Sequence, residues 1–130
     1  MTLHWLHYET EPLHWLGLVR SIVEPRLPKP IQLDIRCHRP ASPLQTPSEP
    51  QSHIISWTYS PDAPTLNWHG LWQLRQDFPN ALRIVLGSPT QPAEQIPLLE
   101  AGAHLLIPDA LSLCHWLPKL LATEYPHRST

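Results

Sequence analysis

The sequence predicts an α/β fold: a three-layer, doubly wound sandwich with five parallel strands in the order 2-1-3-4-5. Three observations predict it. Short bulky apolar runs alternate with stretches of helical period along the 130 residues, and that alternation implies a parallel sheet with helices on both faces. The length suits one domain with a real core. Right-handed crossovers then leave 2-1-3-4-5 as the natural doubly wound solution.

Residues 2–9 pack bulky and aromatic side chains into a short run without helical period, the mark of a first strand. Thr10 can cap a following helix over about 12–24, with Pro12 in its first turn. Trp15, Leu18, Val19, Ile22 and Val23 recur there at helical spacing. Pro25, Pro28 and Pro30 end that helix. Residues 31–37 alternate apolar and polar side chains, as a half-buried strand near a sheet edge does. Pro40, Pro43, Pro47 and Pro50 make 40–51 an extended loop, so the second helix of the pattern is lost or shortened.

Residues 53–59 form a compact apolar strand and 60–65 a loop. Asn67 can cap a helix that carries Trp68, Leu71, Trp72 and Leu74 and ends near Phe78 and Pro79. Leu82 to Leu86 is the best strand of the chain. After a loop over 87–92 comes a short helix, about 92–101, disturbed by Pro97 and closed by Gly102. His104 to Ile107 is the last strand. Leu113, Trp116, Leu117, Leu120 and Leu121 outline a final helix, and Pro118 predicts a kink or a late start near 117. The domain spans 1–125, and a frayed tail covers 126–130.

Composition narrows function. The formal charge is −2 and no Lys/Arg cluster is present, so nucleic acid is not an expected partner. No apolar run approaches the roughly 20 residues that span a bilayer. The N-terminus lacks the pattern of a secretory leader, and two cysteines suit a reducing compartment, so a cytoplasmic protein is expected. Four glycines against 17 prolines argue against a phosphate-cradling glycine loop. Nine histidines suggest metal, but none fall in a chelating pair: His4 and His7, three apart on a strand, point to opposite faces. No Gly-x-Ser-x-Gly elbow is present either. No cofactor is expected.

The stretch Asn80 to Ser88 (NALRIVLGS), then Leu98 to Ile107 (LLEAGAHLLI) and Leu111 to Leu113, resembles the receiver domain of bacterial response regulators. Gly70-Leu71 with Leu74-Arg75 looks like that family's helix after the phosphoacceptor loop. Tyr8-Glu9-Thr10-Glu11-Pro12 looks like its Val-Asp-Asp-Glu-Pro. The resemblance covers nearly the whole chain, and 80–113 is its most specific part. It implies a flavodoxin-like fold and a signalling role in a two-component system. The family's chemistry needs an acidic pair for a divalent cation, a phosphoacceptor Asp, a Thr or Ser, and a Lys. A phosphorylated carboxylate is stable only where cations and donors surround it.

This chain departs from that set. Glu9 and Glu11 match the acidic cluster, with Thr10 replacing one acid. Trp57, or Thr58 after a one-residue shift, stands at the acceptor position. Gly87 takes the Thr/Ser position beside Ser88, and Asp109 takes that of Lys. Asp62 is the nearest substitute acceptor, four or five residues late. The expectation is a stand-alone pseudo-receiver, not an enzyme, that acts through a protein partner or a second copy of itself. Trp57 could fill the old acidic pocket, or simply belong to the core. Trp68, Trp72 and Trp116 are candidate contact residues, because six tryptophans exceed what a core this small can bury. Two alternatives stand beside this reading. One is a small enzyme or metal-binding protein using Glu9, Thr58, Ser88 or Asp109. The other is a regulatory piece of a longer chain.

Overall fold

A computed structural model describes residues 2–10, 12–41 and 53–124. Its elements are β1 Thr2–Tyr8, α1 His14–Val23, a 3-10 turn Glu24–Arg26, β2 Gln32–His38, β3 Ile54–Thr58, α2 Pro64–Asp77, β4 Leu82–Leu86, α3 Pro92–Ala101, β5 Leu105–Ile107 and α4 Ala110–Glu124. The five strands form one parallel sheet in the order β2-β1-β3-β4-β5, as the sequence predicts. The expected proline-rich loop and lost helix fall largely on 42–52, and the tail on 126–130, outside the described residues.

Strand alternation divides the core in two. Leu3 and Trp5 of β1, Ile54 of β3, and Ile84 and Leu86 of β4 face α1 and α4, where they meet Val19, Val23, Leu113 and Leu117. Leu6 and Tyr8, Ile55 and Trp57, and Val85 face α2 and α3, against Leu71, Leu74 and Leu98. Both faces of β1, β3 and β4 are therefore covered, which is why these strands read as nearly continuous apolar runs. β2 pairs only with β1, and Gln32, Arg36 and Cys37 lie exposed on it, as an edge strand requires.

Three helix starts differ from the sequence expectation. α1 begins at His14, and its N-cap residue is Leu13, with no side-chain cap of its own. Thr10 is exposed and plays no capping part. Two of the free N–H groups, those of Trp15 and Leu16, are met by Glu9, the residue after β1. α2 begins at Pro64, three residues before Asn67, which lies buried inside the helix. Pro64 suits that first turn because its missing N–H would have no partner there.

α4 begins at Ala110 and runs through Pro118, well before the expected late start near 117. Asp109 fixes that start: its carboxylate accepts the Ser112 N–H at 2.8 Å. A proline inside a helix costs about 3 kcal/mol. Leu113, Leu117 and Leu121 are each at most 3% exposed. At about 1.5–3 kcal/mol apiece, their burial exceeds that cost. α3 matches its expected range, and Gly102, at φ 123°, closes it by donating to the Leu98 and Leu99 carbonyls.

Candidate functional site

In doubly wound sheets ligands bind at the carboxyl ends of the strands. Here that rim holds Glu9 after β1, Thr58 at the end of β3, Gly87 and Ser88 after β4, and Asp109 after β5.

Glu9 is 5% exposed, and both of its oxygens accept hydrogen bonds. Oε2 accepts the Trp15 N–H at 3.0 Å, and Oε1 accepts the Leu16 N–H at 3.1 Å. His7 Nε2 lies 2.7 Å from Oε1. A carboxylate placed on the first turn of a helix meets two orphan donors and the positive end of the dipole at once. Thr10 is exposed, and Glu11 lies outside the described residues.

Behind Glu9 runs a buried polar chain that sequence reading did not find. The Trp5 indole N–H donates to Ser56 Oγ at 2.8 Å, and Ser56 Oγ lies 2.6 Å from His7 Nδ1. Glu9 needs a donor at His7 Nε2, so Nδ1 is left to accept the Ser56 hydroxyl proton. A neutral imidazole satisfies every member. Burial holds His7 below its ordinary pKa of 6.5, against the opposing pull of Glu9. Ser56, His7 and Glu9 share the residue types of a nucleophile, base and acid array, but Ser56 is fully buried and its oxygen accepts an indole N–H. The shared face of Trp5, His7 and Glu9 is legible from strand alternation, whereas Ser56 joins them only through the β1–β3 register, His7 opposite Ser56.

Trp57 is fully buried, in the layer beneath α2. Its indole N–H donates to Asn67 Oδ1 at 2.9 Å. The same oxygen accepts the Ser60 N–H, while Asn67 Nδ2 donates to the Ser60 and Ala63 carbonyls. Asn67 thus joins α2, the β3–α2 loop and the Trp57 indole. Tyr8 packs on Trp57 with ring centroids 5.4 Å apart, and burial and Asp77 push its hydroxyl up to about 12.

Gly87 takes φ 68°, a left-handed conformation that favours glycine. Trp15 lies over it, its indole 3.6 Å from where a Cβ would stand. Ser88 is 5% exposed, and neither its Oγ nor Thr58 Oγ1 has a hydrogen-bond partner among the described residues. Asp109 is exposed, and its hydrogen bonds to Ser112 hold its carboxyl below the usual range. Asp62 is exposed in the β3–α2 loop. Glu9 and Asp109 are both committed to helix starts, and among the described residues no three His, Cys, Asp or Glu side chains come together as a metal site.

Away from the rim, Arg83 of β4 is 5% exposed. Its guanidinium donates to the Gly102, Phe78 and Ala81 carbonyls at 2.7, 3.0 and 3.2 Å. Of the candidate contact residues, Trp68 is 37%, Trp72 58% and Trp116 45% exposed. Trp68 and Trp72 lie one turn apart on α2, and Trp116 lies on α4.

The strand order, the helices on both faces and the rim define a receiver-like, flavodoxin-like fold. The chain is similar in structure to the RcsB response regulator of Salmonella typhimurium, with a TM-score of 0.59 and 14% sequence identity. The match covers 98% of this chain and 64% of that one, so this chain spans under two thirds of its neighbour's length. No family model matches the sequence, and no curated protein matches it. No helix among the described residues is long and apolar enough to cross a membrane.

Proposed function

We propose that this chain is a pseudo-receiver, a signalling module that works by contact with a protein partner and without phosphoryl transfer. The observation that carries this reading is the state of Glu9. Phosphoryl chemistry at such a rim needs a carboxylate with free lone pairs for a divalent cation. Glu9 is instead buried, with Oε1 shared by the Leu16 N–H and His7 and Oε2 accepting the Trp15 N–H, which leaves at most one of its roughly four acceptor sites open. The other positions agree. Trp57 is committed to the α2 layer, Trp15 overlies Gly87, and Asp109 puts an anion where a transferred phosphate needs a cation.

With no phosphoryl switch, the effect passes through surfaces. The exposed tryptophans of α2 and α4 are the side chains best suited to carry contact energy, with a second copy of the chain as one candidate partner.

The test is a titration with magnesium and beryllofluoride, a phosphoryl mimic, followed by tryptophan fluorescence and amide NMR shifts. The expected result is no saturable change at Glu9, Thr58, Gly87 or Ser88. A saturable, magnesium-dependent change there would overturn the reading, and Asp62→Asn would then identify the acceptor.

A further inference from the structure

A cavity of about 340 Å³ opens between the β3–α2 loop, the start of α2 and the outer side of α3. Two aromatic side chains, Tyr59 and Trp68, line it with the carboxylate-bearing Glu94. Pro61, Pro64 and Pro97 supply stiff walls, so little conformational freedom is lost when the cavity fills. No basic residue lines it.

We propose that this cavity docks a cationic side chain, an arginine or lysine, presented by a protein partner. The inference rests on the reading that the chain works through such a partner and names the chemistry of the contact. Two aromatic rings beside a carboxylate attract a cation through ring quadrupole and charge together. Glu94 makes no ion pair among the described residues. The Tyr59 hydroxyl is pushed up first by burial and then by the Glu94 charge, which places the carboxylate within electrostatic reach of the phenol. Pro97 has no N–H to give the Ala93 carbonyl, which leaves an acceptor without its α-helical donor on the same lining. A neutral proline-rich peptide would use the rings but leave the carboxylate desolvated and unpaired. Glu94 also complements the dipole of α3, and that role alone would make it a stability residue and nothing more.

The experiment is an NMR titration of the whole chain with the blocked tripeptides acetyl-Ala-Arg-Ala-amide and acetyl-Ala-Lys-Ala-amide. A tripeptide with citrulline at the centre, neutral but shaped like arginine, is the first control, and acetyl-tetraproline-amide is the second. Saturable shifts at Tyr59, Glu94 and the Trp68 indole N–H with a basic peptide are expected. Glu94→Gln should weaken them by about tenfold while the protein stays folded. An equal response to citrulline, a response to tetraproline alone, or no shift at these residues would overturn the proposal. The magnesium and beryllofluoride titration reads Glu9, Thr58 and Ser88 instead, so a failure of the pseudo-receiver reading appears at different resonances.

Discussion

Gly70 and Trp57 are complementary. A Cβ on Gly70 of α2 would overlap the six-membered ring of the Trp57 indole, with Cζ3 and Cζ2 only 2.6 and 2.8 Å away. The helix lies close to the sheet because one residue lacks a side chain where the largest side chain of β3 stands.

Gly70→Ala therefore separates two opposing effects. Helix propensity alone favours alanine by about 1 kcal/mol. Overpacking a fully buried site costs about 1–3 kcal/mol. The expected outcome is a net loss of stability in urea unfolding and an altered Trp57 environment in near-UV circular dichroism. A stabilised variant would show that α2 can lift away from Trp57 without penalty.

Glu9 and Thr10 should differ sharply. Glu9→Ala removes the acceptor for two α1 N–H groups and the partner of buried His7. A loss of about 2–4 kcal/mol is expected, since charge-assisted bonds are worth about 1.5–3 kcal/mol each and are not additive. Thr10→Ala should stay within about 0.5 kcal/mol, as an exposed residue away from special features does. Comparable losses in the two variants would restore Thr10 as the cap.

Asn67 offers a graded series. Asn67→Ala leaves the Trp57 indole N–H and the Ser60 N–H without their acceptor, at an expected cost of about 2–3 kcal/mol. Asn67→Asp keeps the acceptor but replaces the donor to the Ser60 and Ala63 carbonyls with a buried charge. Denaturation midpoints should fall in the order wild type, Asn67→Ala, Asn67→Asp. The reverse order of the two variants would mean that the indole bond dominates.

The histidines set a pH dependence. Burial lowers the pKa of His7, and burial with the charges of Arg83 and Arg75 lowers that of His104. Each binds a proton less readily folded than unfolded, so stability rises with pH across the window from the folded value up to about 6.5. Acidification below pH 6.5 should thus lower the urea midpoint. His104→Gln should remove only part of that slope. Imidazole NMR should find His7 titrating below its ordinary value, and an ordinary titration near 6.5 in the folded protein would sink the assignment. Asp109 acts at lower pH. Its depressed pKa stabilises above the ordinary carboxylate range and is lost as pH falls through the folded value.

Much of the fold was legible before any contact was known. Leu82 to Leu86, the Gly102 stop of α3 and the edge character of β2 all follow from local pattern, and they agree with the structure. Helix starts were less legible. Glu9 caps α1 from the end of the strand before it, and a cap supplied from outside the helix leaves no periodic trace.

Periodicity along the chain reports which side chains share a face, because that depends only on 3.6-residue and two-residue repeats. It was enough for the elements, their order and the layers they form. It could not pair Ser56 with His7, 49 residues apart, or seat Trp57 against Gly70. Those contacts depend on strand register and on how closely a helix approaches the sheet, which are set when whole elements pack. The same packing makes Glu9, read from the sequence as part of an acidic cluster, the anchor of α1.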